Sequence, residues 1–223
     1  LGLVVLNSGD YAREGGYGRP SDAALRFVHD VPRWLGVRSL VFQHMPLPQY
    51  YDVLKAMPAN ADNAIQGYRK YDAQYYVLDD DRTLPGGYLG EGVSCPDEDC
   101  GEFAALRDTD GYIGVVVGHD HRNGFVGSLN GMILVATPTC GFGSYGPAAA
   151  NRAARLFEFD IRHPYSPRTQ LLTFGELVGK PSSNKAYTYA VEGQSNAADG
   201  VNLLRKPGLL AGVAAALRSE ERR

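Results

Sequence analysis

An α/β layered fold is what this sequence predicts, on three observations. Short apolar runs rich in Val, Leu and Ile, each stopped by Gly, Pro or Asn, recur through about the first 160 residues. A segment with helical spacing and an N-cap signal separates the first two runs. The chain then becomes strand-rich. Strands alternating with helices argue against a bundle and against a pure sandwich.

In chain order, LGLVVLNSGDY opens as an apolar strand that ends in turn residues. A loop rich in Gly and Tyr, EGGYGRP, follows it. Ser21 has the character of an N-cap for the helix SDAALRFVHDVPRW, which has Ala24, Leu25, Phe27 and Val28 available for a buried face. VRSLVFQHMPLPQYYDVL contains a second strand, stopped by Pro46. Residues 58–100 read as irregular, polar and turn-rich, with an acidic cluster at Asp79, Asp80 and Asp81. A loop of that length in a compact domain is usually functional or an insertion. GEFAALRDTDG reads as a short helix feeding the strand YIGVVVG. GMILVAT and ARLFEFDIR are two further strands, separated by the loop PTCGFGSYGPAAANR.

The character changes after residue 165, which divides the chain into a main body, 1–165, and an extension, 166–223. The extension is polar, with one strand-like run, YTYAVE. It ends in an Ala- and Leu-rich helix, PGLLAGVAAALRSEERR, with Pro at its start.

Composition narrows the function classes. A 44% apolar content is ample for a buried core, and a net charge of −3 with no basic run beyond the tail RSEERR leaves nucleic-acid binding without support. The longest apolar stretches, IGVVVG and LLAGVAAAL, are too short to span a bilayer. No secretory signal is visible, and the compartment stays open. Three cysteines are too few for a disulfide framework. Cys95 and Cys100 bracket the acidic loop CPDEDC, where they either pair in an oxidising compartment or remain two unlinked thiols. Cys140 reads as a small packing residue.

Position separates the five histidines. His44 follows SLVF, and His119 and His121 follow GVVVG, so all three stand at the C-terminal ends of predicted strands. Open α/β sheets place their ligand sites there. On an extended chain, residues two apart face the same way, so His119 and His121 can reach one site while Asp120 turns away. Imidazole is a common metal ligand, and a rigid strand end fixes its geometry. The bland alternative is a set of hydrogen-bonded histidines at a sheet edge. His29 lies on the helix and His163 in a Pro-rich loop, both with ordinary surface or packing roles. The loop CGFGSYG lacks the Lys and Ser/Thr of a phosphate-binding P-loop.

Three blocks, LVVLNSGDY, LVFQHMPLPQY and GVVVGHDHRNGFVG, followed by GFGSYG and NRAARLFEF, resemble the calcineurin-like metallophosphoesterases. The branch they resemble is the purple acid phosphatase-like group that includes the Dcr2-type phosphatases. Order and approximate spacing agree over residues 1–160 or so, and the tail beyond is not covered. The resemblance implies that the main body is the C-terminal half of a four-layer αββα sandwich, with metals at the strand ends. It implies that His44 and His119 bind one ion of a binuclear centre and that His121 binds the other. The ions would be two divalent or mixed-valence metals, Fe, Zn or Mn. A metal-activated water would then attack the phosphorus of a phosphate ester.

The family's early D-x-H, its G-D-x-x-D with the bridging aspartate, and its G-N-H-D/E do not occur in these 223 residues. Asp10 follows a glycine, but position 13 is Arg, and Asn7 stands where an Asp is expected. The chain also opens on Leu. The expectation is therefore the C-terminal portion of a longer phosphoesterase, inactive alone, whose catalytic residues and remaining ligands lie in an N-terminal half of the same domain. A degenerate, non-catalytic module that binds a metal or a partner is the alternative. A mononuclear hydrolase taking a carboxylate from residues 79–81 or 97–99 is a third reading, and it requires one of those acids beside His121.

Overall fold

The computed structural model describes residues 1–178. The run YTYAVE and the terminal helix expected after residue 180 lie outside the described residues.

The largest sheet contains β1 (Gly2–Val5), β2 (Ser39–Gln43), β6 (Tyr112–Val117), β7 (Val126–Leu129) and β8 (Met132–Ala136) in the order β1-β2-β6-β8-β7. Its first four positions are parallel, and β7 closes the edge antiparallel to β8. Parallel neighbours need crossovers: α1 (Asp22–Leu35) lies in that from β1 to β2 and α2 (Glu102–Asp108) in that from β2 to β6, while β6 reaches β8 by way of β7. The protein is thus a mixed α/β fold, as the sequence predicts.

Ser21 caps α1 as expected, its hydroxyl accepting from the Ala24 N–H at 3.2 Å, and Gly36 ends the helix in the left-handed region. The buried face differs from expectation. Val28 and Val31 are buried, whereas Phe27 is exposed and packs its ring against Trp34 on the outside. A 3.6-residue period puts Val31, not Phe27, in line with Ala24 and Val28.

The two faces of the sheet are covered differently. Val4, Val41, Val115, Val117 and Leu134 join Val28 and Val31 of α1 and Phe103 and Leu106 of α2 in one core cluster. The opposite face, with Leu40, Ile113, Val116, Val126 and Val135, is covered by Phe157 and Phe159. Phe157 belongs to β9 (Ala153–Glu158), which pairs antiparallel with β10 (Arg168–Thr173). That cover stops short of β1: Leu3 and Val5, in register with Leu40 and Phe42, are 64% and 81% exposed.

Residues 58–100 are not wholly irregular. β4 (Ile65–Gln66) and β5 (Tyr75–Leu78) lie in an antiparallel sheet with β3 (Leu54–Met57), in the order β3-β5-β4. Buried Tyr50 anchors the region before it, its hydroxyl donating to the Val115 carbonyl at 2.9 Å and accepting from Val135 N–H at 3.1 Å. Tyr51 does the same for the loops, donating to the Val93 carbonyl and accepting from Tyr68 N–H.

Gly114 on β6 sits against the carbonyl and side chain of Ile133 on β8, so close that a Cβ would overlap both. Gly114→Ala is expected to lower stability by about 1–3 kcal/mol through overpacking, read as an earlier urea midpoint at unchanged slope. An unshifted midpoint would show that β6 and β8 can part there freely.

Candidate functional site

β2 and β6 are parallel neighbours whose last residues, Gln43 and Val117, are in register. The residues that follow are therefore side by side, and the Gly118 N–H donates to the His44 carbonyl at 3.2 Å. This brings His44 to His119: Nε2 of the former lies 3.1 Å from Nδ1 of the latter. The backbone reason differs from the one read in the sequence. β6 stops at Val117, and His119 takes a left-handed conformation, φ +39°, rather than extending the strand. Asp120 is turned away nonetheless, and is buried. Its carboxylate accepts from Ser94 N–H at 3.1 Å and from the Asn123 amide at 3.2 Å. Burial, and secondarily the nearby Glu91, push its acid up to about 7.

His119 is held on two sides. Its ring meets Tyr17 edge-on, centroids 4.2 Å apart, and meets His44 at 4.9 Å. Burial, then the neighbouring His44 and His121, lower its pKa to about 4. At neutral pH the ring is therefore uncharged and keeps a lone pair. His121 is oriented by the loop after β8: its Nδ1 lies 2.7 Å from the Tyr145 carbonyl, and its ring stacks on Tyr145 with centroids 4.1 Å apart. A carbonyl only accepts, so Nδ1 carries a proton, and Nε2 is the nitrogen not used in this contact.

The other two histidines stand apart from the cluster. His29 on α1 is 3.2 Å from Asp30. His163 is in the turn beyond β9, where its N–H donates to the Asp160 carbonyl.

Three of the acids weighed from the sequence have partners away from the histidines. Asp97 pairs with Arg69 at 2.9 Å, Asp99 accepts from Gln49 at 2.7 Å, and Asp79 caps its own turn through Asp81 N–H. The carboxylate that does brace the histidine loop is Glu91. It accepts from Arg122 N–H at 2.9 Å and from the Tyr145 hydroxyl at 3.1 Å. Asn123, fully buried, ties the same loops together by accepting from Gly90 and Glu91 N–H. Glu91 and Tyr145 carry no motif, and only their long-range contacts mark them. In the loop 137–147, Arg152 draws in the carbonyls of Gly141 and Ser144. It therefore turns carbonyl groups toward its neighbours, unlike a loop whose N–H groups cradle phosphate. Cys95 and Cys100 are free thiols, and burial pushes Cys95 up to about 12.

Among the described residues, no three or more His, Cys, Asp or Glu side chains are grouped to hold a metal ion. Two imidazoles meet, the third stands two residues further along the loop that carries His119, and no carboxylate joins them. What the donors present do fit is a share of a metal's shell. Ligands about 2.05 Å from a metal lie about 2.9 Å apart at cis octahedral positions and about 3.4 Å apart at tetrahedral ones. The 3.1 Å between His44 and His119 falls between those separations.

Fold and site define an α/β protein that presents imidazoles beyond the C-terminal ends of parallel strands. Over 122 residues, 55% of this chain, it is 29% identical to a protein of Arabidopsis thaliana named probable inactive purple acid phosphatase 29. The matched stretch spans 25% of that relative's length. The similarity supports a relation to the metallophosphoesterase superfamily and to no particular branch of it. No family model matches the chain, and no solved structure matches it. No helix among the described residues is long and apolar enough to cross a membrane.

Proposed function

We propose that this chain is part of a metal-dependent phosphoesterase of the Dcr2-type branch, in which His44 and His119 share one ion and His121 binds a second. The observation that carries the reading is the 3.1 Å approach of the His44 and His119 ring nitrogens at adjacent strand ends, where the two rings now share a hydrogen bond that a shared ion would replace. The neutral state of His119 supports it, because it leaves a lone pair for a metal, and so does the contact of His121 Nδ1 with the Tyr145 carbonyl, which makes Nε2 the ligating nitrogen. The ions, Fe, Zn or Mn, would turn a water into a nucleophile and neutralise charge gathering on the phosphate ester. Glu91, Tyr145 and Asn123 keep the histidine loop in place, and catalytic side chains beyond the ligands come from a preceding half of the same domain. Exposed Leu3 and Val5 on the free edge of β1 suit such a half, which would add strands and cover the apolar face.

Titrating Zn²⁺ or Mn²⁺ into the chain and following the histidine side chains by NMR tests this. The His44 and His119 resonances are expected to respond together, and His44→Ala to weaken binding at least about tenfold. A response of exposed His29 or His163 equal to theirs would sink the proposal. Turnover of a phosphate ester by the 223 residues alone is expected to be negligible, with activity appearing when the preceding half is supplied. Activity of the isolated chain with metal would contradict that division.

A second reading, a non-catalytic metal- or partner-binding module on the same scaffold, is favoured by two observations. The described residues do not group three metal ligands, and the relative's name includes the word inactive. D-x-H, GDxxD and GNHD/E motifs in preceding sequence would eliminate it.

A further inference from the structure

β9 alternates its side chains, placing Ala153, Arg155 and Phe157 on the inner face toward the large sheet, while Ala154, Leu156 and Glu158 face out. Ala153 is buried and Phe157 packs in the core cluster of that face. A guanidinium thus occupies an inward position in an otherwise apolar row.

Its partners are few for a cation so placed. Nη2 donates to the Ala136 carbonyl at 3.0 Å, and Nη1 reaches the Thr169 hydroxyl oxygen only at 3.4 Å. Thr169 sends its own proton to the Leu156 carbonyl. Nε has no hydrogen-bond partner, and neither does the hydroxyl of neighbouring Tyr88. Burial pulls the guanidinium's pKa down to about 10, against weaker support from Tyr88 and Tyr50. A half-buried positive charge without a carboxylate is costly, and the cost falls when an anion reaches it.

The space for an anion is present. Arg155 lines a hollow of about 440 Å³ between the β9–β10 hairpin, residues 84–88 and residues 124–126. This lies within the range of small-molecule sites, which run from roughly 300 to 1,000 Å³. Leu84, Pro85, Phe125 and Leu171 make its apolar walls. Glu176 also lines it, its Oε2 accepting from the hydroxyl and N–H of Thr173 at 2.7 and 3.3 Å, and it forms no ion pair with Arg155.

We infer that this hollow binds a small organic carboxylate, its anionic head on Nη1 of Arg155 and its apolar body against Phe125 and Leu171. The donor and the walls together select the class. Inorganic phosphate has no body to bury, and a neutral aromatic has no head for the guanidinium. The site does not involve the histidines and stands whether or not they hold metal.

The test uses the full chain, with benzoate, benzyl alcohol and inorganic phosphate as probes, followed by amide and arginine Nε–H NMR. Benzoate is expected to shift the Arg155 Nε–H and the amides of Thr169, Gln170 and Leu171 saturably in the millimolar range. Benzyl alcohol and phosphate at the same concentration leave them in place. Arg155→Met is expected to weaken benzoate at least about tenfold, with Arg155→Lys between it and the native chain. If the methionine variant fails to fold, the three probes on the native chain decide. An equal response to benzyl alcohol makes the hollow merely apolar and overturns the proposal. A response to phosphate as strong as to benzoate, or no saturable response, also overturns it.

Discussion

Arg152→Ala is expected to lower the unfolding free energy by about 3–5 kcal/mol, a large share of the roughly 5–15 kcal/mol typical of a domain. Arg152 is 1% exposed. Its guanidinium donates to the carbonyls of Gly141 and Ser144, and its charge lies 5.7 Å from the centre of the Phe142 ring. Truncation would orphan both carbonyls, at about 1–3 kcal/mol each, and leave a cavity where the side chain was. The effect reaches the histidines because the same loop carries Tyr145, whose carbonyl orients His121. Chemical denaturation reads the stability, and the ring nitrogen shifts of His121 read the loss of its fixed tautomer. Arg152→Lys keeps the charge without the fork and is expected to restore less than half of the loss. A loss below about 1 kcal/mol in the alanine variant would show that the loop holds its shape unaided.

Glu102→Gln is expected to stabilise the protein by up to about 3 kcal/mol at pH 8 and to change little at pH 4. Glu102 is buried in the first turn of α2 and is pushed up to about 7, chiefly by burial, with Asp99 adding to it and Gln43 opposing it. An ordinary glutamate loses its proton near 4.5. Between those values the folded state binds more protons than the unfolded one, so stability falls as pH rises through that window and levels off above it. The gap amounts to about 3 kcal/mol. Glutamine fixes the neutral form and removes that part of the slope. Asp120, also raised to about 7, adds slope of the same sign, while His119, lowered to about 4 from 6.5, adds slope of the opposite sign below pH 6.5, so E102Q is expected to remove most of the fall in stability between pH 5 and pH 6.5. Denaturation midpoints across that range measure it. A variant with the same slope as the native chain would place the ionisation elsewhere.

Local signals account for the elements that the sequence foretells. The Ser21 cap and the Gly36 stop bracket α1, and the runs LGLVV, SLVF, YIGVVV and MILVA become β1, β2, β6 and β8. Fully buried parallel strands are continuous apolar runs, and such runs are legible without partners. β7 escapes this reading although Asn130-Gly131, both at positive φ, forms the hairpin turn to β8. The sheet β3-β5-β4 escapes for another reason. Its strands have two to four residues and pair across a separation that no local period records.

The same division runs through the candidate site. Sequence by itself determined that His44, His119 and His121 follow apolar strands, because a strand's end is a local property. Only the tertiary structure decided that β2 and β6 are neighbours, which sets His44 3.1 Å from His119. It also decided that Tyr145 turns His121 and that Glu91 and Asn123 brace the loop between them. Those contacts join residues 24 to 75 positions apart. The free energy that holds them comes from burying the sheet between its helices and the β9–β10 hairpin, and burial depends on the assembled fold rather than on any one segment.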